Sequence, residues 1–317
     1  MFKGIRSLGL FGMLFIYPLT PSSTPLTVDL HGQPVASIKR IDYMANIPGL
    51  PVVNELKVER LMDSLEKKTN IPSVNAVLDA GGRVVPEKIG YRLDRRQFAE
   101  QVYSYLIEGG MTRTNLPQNK VYPRVDSELM TLIKEKQIGY YTTYFNSRNR
   151  NRTTNIALAA QAINNHVVFP GETFSFNGVV GQRSTEKGYM RAPVIVKGEV
   201  SEGIGGGICQ ISSTLFNAAD RAGLQIVQRY SHSRNVPYVP PGRDATVSWY
   251  GPDFVFKNRY SQPILIRAYV YGGQVSISIF SSEAVDHEPR QVPSASKKLP
   301  EEVRMEQSVG AGKAAND

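Results

Sequence analysis

The chain's only cysteine, Cys209, lies in the run Gly203-Ile-Gly-Gly-Gly-Ile-Cys-Gln-Ile-Ser-Ser-Thr-Leu215. Three consecutive glycines, Gly205, Gly206 and Gly207, let the backbone approach a ligand closely and turn N–H groups toward an anion. Residues 209–222 read as a helix stopped by Gly223, which places the thiol at a helix start. The partial positive charge there favours a thiolate and lowers the cysteine pKa. Backbone N–H groups near Gly207 could then act as an oxyanion hole for acyl transfer. A tight turn holding a small buried cysteine fits the same segment, so both readings stand at this level. A dinucleotide-binding loop does not fit, because the glycine spacing differs and no βαβ pattern follows.

A nucleophilic cysteine needs a base, usually a histidine held by a carboxylate or amide. There are four histidines. His31 falls in a stretch read as linker, His287 near the C-terminal tail, and His166 after a helix. His232, in Tyr230-Ser-His-Ser-Arg-Asn235, follows a strand, where loops on a scaffold commonly carry function. Asp244, in Pro240-Pro-Gly-Arg-Asp-Ala-Thr246, could orient its ring. Arg234 or Arg243 could grip a substrate carboxylate in bidentate fashion. Gln210, Ser212 and Ser213, beside the cysteine, join the three glycines as substrate-binding candidates.

The chain has 317 residues, a net charge of +9 and a mildly negative mean hydropathy of −0.27. That suits one large domain or two smaller ones and gives no sign of a multi-span membrane protein. The basic balance suits an anionic partner such as a cell-wall polymer, or simple solubility. One cysteine excludes an internal disulfide and a zinc site built on several thiolates, and neither metal nor cofactor is expected. No nucleic-acid-binding motif is present.

Lys3 and Arg6 precede the apolar run 8–17, which Pro18 and a Pro/Ser/Thr stretch follow. This is the layout of a signal peptide, shorter than the about 20 residues of a spanning helix. Residues 1–20 are therefore read as a signal peptide or retained anchor. The expected location is the outer face of the membrane or the cell wall, with membrane contact only through that segment if uncleaved. Residues 21–35 read as a linker.

Residues 36–44 read as a strand, 55–68 as an amphipathic helix and 72–85 as a hairpin around Gly81-Gly82. A helix capped by Asp94 runs to Gly109-Gly110, residues 116–125 are extended, and a short helix starts at Asp126. This order describes a small α+β domain over 36–138. Over 139–282 the expectation is a mixed, β-rich domain. It holds a helix over 151–163, strands near 193–196, 225–229, 245–249, 254–256, 264–271 and 275–280, and the Gly-rich loop leading into a helix. Residues 283–317, rich in Glu, Pro, Ser, Lys and Ala, read as a disordered tail.

Several motifs in the second half carry a resemblance. They are Pro170-Gly-Glu-Thr-Phe-Ser-Phe-Asn177, Gly188-Tyr189 with Ala192-Pro193, the glycine–cysteine run, Asn217-Ala218, Ala222-Gly-Leu224, His232-Ser233, and Tyr238 to Thr246. Residues from about Tyr140 to Phe280 resemble a VanW-type domain. Less specifically, and through Val84-Val-Pro-Glu-Lys-Ile-Gly-Tyr-Arg-Leu-Asp94, the preceding region resembles the peptidoglycan-binding domain found upstream of VanW and some L,D-transpeptidase domains.

The resemblance implies a cell-wall role with peptidoglycan as partner, in a family associated with glycopeptide resistance. It further implies an L,D-transpeptidase-like enzyme. Cys209 would attack the carbonyl of the third stem residue, with His232 as base, Asp244 as its orienter and the backbone near Gly207 as oxyanion hole. The usual L,D-transpeptidase signature runs Ser-His-Gly-Cys together, whereas here Ser231-His232 follows Cys209 at a distance. A non-catalytic peptidoglycan-binding accessory protein is the alternative.

Overall fold

The computed structural model describes residues 24–45, 52–196 and 199–298. The expected signal segment 1–20 and the last part of the expected tail lie outside them. The chain divides into two compact units, the first ending at Val74 and resuming over Lys88–Pro123, the second formed by Asn75–Glu87 and everything from Arg124. The first unit therefore ends earlier than the expected boundary at 138. Among the described residues no helix is long and apolar enough to cross a membrane.

The first unit opens with β1 (Leu26–Leu30) and β2 (Gln33–Ile38), an antiparallel hairpin. The stretch read as linker is thus largely strand. His31 at φ 52 and Gly32 at φ 78 make the turn, a left-handed pair that the residue types alone do not announce. The strand expected over 36–44 ends at Ile38 and gives way to the helical turn α1 (Arg40–Tyr43). Helix α2 (Glu55–Thr69) forms as expected, but it buries Val58, Met62 and Leu65, whereas of the face expected from Leu56, Leu61 and Leu65 the first is exposed.

The chain then enters the second unit for the two-stranded ladder β3 (Val77–Leu78) and β4 (Val84–Val85). It returns through β5 (Gly90–Leu93), α3 (Arg95–Glu108), β6 (Arg113–Asn115) and β7 (Gln118–Val121). Asp94 caps α3 by accepting from the Gln97 amide, as its position predicts. Strand β6 runs parallel to β1, and β5 pairs antiparallel with β7. Leu26, Val28, Phe98, Val102 and Leu106 fill the core of this unit.

The second unit continues with α4 (Ser127–Ile133), β8 (Lys136–Tyr144), α5 (Arg150–Ile163), β9 (His166–Val168), β10 (Thr173–Ser175) and α6 (Phe176–Val180). A hairpin of β11 (Arg191–Val196) and β12 (Glu199–Ile204) precedes α7 (Ile208–Arg221). The last strands are β13 (Gln225–Gln228), β14 (Val255–Lys257), β15 (Ile264–Tyr271) and β16 (Gln274–Ser281). The main sheet is antiparallel in the order β8-β16-β15-β9, and a smaller one runs β10-β14-β13. Together the units make an α+β fold, as expected.

Helix α7 packs on β8 and β16. Its approach is close because Gly139 faces it: a Cβ there would stand 2.5 Å from the Ala218 carbonyl oxygen. Residues 245–249, expected as a strand, are irregular: the Ala245 N–H and carbonyl and the Val247 carbonyl meet side chains of α7, while the Thr246 and Ser248 amides bond the Tyr230 and Pro252 carbonyls. The buried Arg267 donates to the Leu78 and Asp79 carbonyls and to Asn165, which ties the β3–β4 ladder to this unit. The expected tail is also corrected. Val285 and Val292 are buried, Arg290 bonds Asp220 at 2.9 Å, and Tyr141 and Arg221 donate to the Pro293 and Val292 carbonyls. Low apolar content there conceals a segment anchored by two valines and by side chains bonding its carbonyls.

Candidate functional site

Gly207 is the N-cap of α7, at φ 103, and Cys209 is the second helical residue. The loop before it needs glycine for reasons of space. A Cβ on Gly206 would stand 2.5 Å from the Ala192 oxygen, and one on Gly207 would stand 2.9 Å from Arg152 Cγ. Helix α5 fixes the loop through two side chains. Asn155, fully buried, donates to the Gly206 carbonyl at 3.0 Å and to the Met190 carbonyl at 2.9 Å. Arg152 donates to Gln210 Oε1 at 2.8 Å. The Gly205, Ile208 and Gln210 amides are committed to the Met190, Gly205 and Gly207 carbonyls. Among the described residues the N–H groups of Gly206, Gly207 and Cys209 have no such backbone acceptor.

The half-buried Cys209 thiol lies 3.7 Å from Thr246 Oγ1 and 3.6 Å from the Val247 carbonyl oxygen. His232 interacts with the same sulfur, both as a hydrogen-bond partner and through charge. On its other side the His232 ring meets Asp244: Nδ1 lies 2.6 Å from Oδ2. The two side chains are 6% and 8% exposed. An ionised carboxylate only accepts, so Nδ1 carries the proton and Nε2 is left for the thiol. Asp244 Oδ2 also accepts from the His232 backbone N–H at 2.6 Å, which fixes the residue as well as its ring. The three residues proposed from the sequence thus form one line.

The electrostatics follow from that line. Burial pushes the Cys209 thiol up, but the hydrogen bond and charge of His232, with Val247 and Thr246, outweigh it, and the thiol sits below its ordinary value. Burial alone would depress His232, whereas its bonds to Asp244 and Cys209 raise it to about 9. Burial likewise raises Asp244, and the bonds from His232 more than reverse this. Opposite shifts on adjacent groups favour the thiolate–imidazolium form of the pair over its neutral form, with the carboxylate supporting the ring.

The substrate-binding candidates divide differently. Gln210, Ser212 and Ser213 are fully buried and bonded within the protein, which corrects their reading as substrate contacts. Gln210 donates to Thr143 and to the Tyr144 carbonyl. Ser212 donates to the Ala245 carbonyl at 2.6 Å, and Ser213 accepts from the Ala245 N–H at 2.8 Å. They hold the backbone next to Asp244 against α7. Arg243 is committed too, at 2.7 Å each to Asn217 and Asp220. Arg234 is exposed. Gly205 and Gly206 are buried and serve packing, while Gly207 is only half-buried.

Sequence reasoning missed Tyr238, Thr246 and Arg183. Burial raises the Tyr238 phenol well above its ordinary range; it bonds Ser213 and feels the charge of Cys209. The half-buried Arg183 also lies in the field of Cys209. Tyr238 and Thr246 stand within motifs of the resemblance, which was the one available signal; Arg183 gave none. Among the described residues no group of three or more His, Cys, Asp or Glu side chains could hold a metal.

A family model described as "VanW like protein" matches residues 151–280, and one described as "Putative peptidoglycan binding domain" matches residues 25–115. The chain is 52% identical over 299 residues to the uncharacterized protein YoaR of Bacillus subtilis (strain 168), covering 94% of this chain and 98% of that one. It is 35% identical over 82 residues to the vancomycin B-type resistance protein VanW of Enterococcus faecalis (strain ATCC 700802 / V583), covering 26% of this chain and 30% of that one. No solved structure matches. The chain belongs to the family of VanW-like proteins that carry a peptidoglycan-binding domain ahead of the VanW-like domain, and the pairing marks it as cell-wall-associated.

Proposed function

We propose that the protein is an exported cysteine acyltransferase of the L,D-transpeptidase kind, acting on peptidoglycan stem peptides. The observation that carries this reading is the line Asp244–His232–Cys209 at the start of a glycine-capped helix. A binding module needs no such line, and a structural cysteine needs no buried imidazole and carboxylate to lower its pKa.

The chemistry follows from the groups present. The Cys209 thiolate attacks the carbonyl carbon before the terminal residue of a donor stem. The oxyanion is met by the N–H groups of Gly206, Gly207 or Cys209. The His232 imidazolium gives its proton to the leaving amine as the C–N bond breaks, and a thioester remains on Cys209. The neutral imidazole then takes a proton from an acceptor stem's amine. That amine attacks the thioester, the thiolate leaves, and the new amide is the cross-link. Asp244 holds the ring throughout. The peptidoglycan-binding domain would keep the polymer near the site.

The test is wall analysis by mass spectrometry from cells carrying wild type, a deletion or Cys209→Ala. The proposal expects 3–3 cross-links and stem-terminus exchange to fall equally in the deletion and the variant. Unchanged cross-links in both would leave the non-catalytic accessory role as the better account.

A further inference from the structure

Arg183 is a half-buried cation without an ion pair among the described residues. Its Nη1 donates to Asn177 Oδ1 at 2.7 Å. Its Nη2 is closed to solvent and has no hydrogen-bond partner among the described residues. The nearest candidate carboxylate, Asp253, is used elsewhere: it accepts from Ser175 Oγ and from the Asn177 and Phe254 amides, and forms no ion pair with Arg183. Burial pushes the guanidinium below its ordinary value, while Cys209, Tyr189 and Asp253 act in the opposite direction. An unpaired N–H closed to solvent is costly, so this one calls for an explanation.

The surroundings tie this cation to the candidate site. The Arg183 stem packs on the glycine loop, with Cβ and Cγ 3.4 Å from where a Gly205 Cβ would stand. Its guanidinium carbon lies 5.6 Å from the centre of the Phe176 ring. The Asn177 amide that fixes Nη1 donates in turn to the Ser248 and Pro252 carbonyls at 2.9 and 3.2 Å. Ser248 follows Val247, whose carbonyl touches the Cys209 sulfur. Arg183 therefore packs on the loop and is held by Asn177, which in turn bonds the 246–252 turn, with Nη2 uncommitted.

We infer that Arg183 is the specificity-determining residue of this site, receiving the free α-carboxylate of the residue that leaves when Cys209 attacks the donor stem. The inference rests on the acyl-transfer reading for the placement of that carboxylate, one residue beyond the carbonyl under attack. Arginine suits the task, because its planar fork bonds a carboxylate with defined geometry. Closure of the Nη2 edge to solvent strengthens a bond formed there. The site thus selects stems that end one residue past the scissile bond and rejects amidated or longer ones.

The test uses purified full chain and alkylation of Cys209 by iodoacetamide, which is neutral and needs no turnover. N-acetyl-D-alanine is added as a protecting acid and N-acetyl-D-alaninamide as its neutral control. The expected result is saturable protection by the acid only. The half-protecting concentration should rise about tenfold in Arg183→Gln, the size of one charged hydrogen bond, and less in Arg183→Lys. The unprotected alkylation rate reports on the fold and thiolate of each variant. Equal protection by acid and amide, no protection in wild type, or protection indifferent to Arg183 would overturn the inference. So would a variant in which the unprotected rate falls while protection stays the same, since Arg183 would then serve only the thiolate. Release of D-alanine from a tetrapeptide stem separates the two proposals. Release with Arg183-independent protection removes only this inference, whereas Arg183-dependent protection without release removes only acyl transfer.

Discussion

Asp244 holds His232 twice: one carboxylate oxygen accepts both from the backbone N–H and from ring Nδ1, each at 2.6 Å. The arrangement keeps the proton on Nδ1 and leaves Nε2 as the ring nitrogen for Cys209, the only thiol in the chain. It also accounts for the raised His232 pKa and, through it, the lowered Cys209 pKa.

Asp244→Asn removes the charge and keeps the shape. The imidazolium loses its stabiliser, so His232 falls back toward its ordinary value and Cys209 rises toward its own. At neutral pH the rate of Cys209 alkylation should drop by about tenfold for each unit the thiol pKa rises. Thermal stability should change less than in variants that open the core. An unchanged alkylation rate would show that Asp244 does not govern the thiolate.

The pH dependence follows from the directions of the two shifts. The Cys209 pKa is depressed below 9.0, so its stabilising contribution is present above pH 9.0 and lost as pH falls through the folded value. The His232 pKa is raised from 6.5 to about 9, so its contribution is fully present below pH 6.5 and lost as pH rises through about 9. Acyl transfer should therefore show a bell, with an acid limb set by the thiol and an alkaline limb near pH 9 set by the imidazolium. Alkylation of Cys209 should persist at pH values where a free cysteine is silent. A single limb at the position of an ordinary thiol would contradict the ion pair.

Gly206→Ala tests the loop rather than the chemistry. Its Cβ would fall 2.5–2.6 Å from the Ala192 and Pro193 backbone, which must give way. Thermal denaturation should show a loss of about 1–3 kcal/mol or more, as for other overpacked sites. A variant as stable as wild type would mean that the loop stands farther from β11 than the structure places it.

Ser213→Ala separates support from chemistry. It leaves the Ala245 N–H without its 2.8 Å acceptor, at a cost of about 1–3 kcal/mol for a buried donor. Because Ala245 adjoins Asp244, alkylation at neutral pH should slow along with the stability loss. Reduced stability with unaltered Cys209 reactivity would show that the serine supports the fold alone.

Much of the site was legible because its chemistry is rare in the sequence: one cysteine, one histidine following a strand, one aspartate soon after. Helices α2, α3 and α5 were legible from apolar spacing and, for α3, from the cap at Asp94, while the caps Asn54 and Asn149 emerge only in the structure. What hid the rest was the use of polar groups inside the protein. Gln210, Ser212 and Ser213 look like ligand contacts in a list of residues, yet on a helix buried on nearly all sides Gln210 bonds β8 and the two serines bond the backbone beside Asp244. Residues 245–249 alternate like a strand, yet Ala245 is bound by the two serines and the rest of the segment is irregular. Arg183 stands outside every motif, and only three-dimensional accounting of hydrogen bonds reveals its uncommitted edge. The β1–β2 hairpin was hidden by a Pro/Ser/Thr neighbourhood and by His31 in a left-handed turn.

The most direct measurement is intact-protein mass spectrometry after mixing the purified chain with a tetrapeptide stem in the absence of acceptor amine. The account predicts a covalent adduct on wild type with the mass of the stem minus its terminal residue, mapped to Cys209, together with release of that residue and no adduct on Cys209→Ala. A folded wild-type protein that forms no adduct and releases no terminal residue across the neutral range, while its thiol still alkylates as a thiolate, would contradict it.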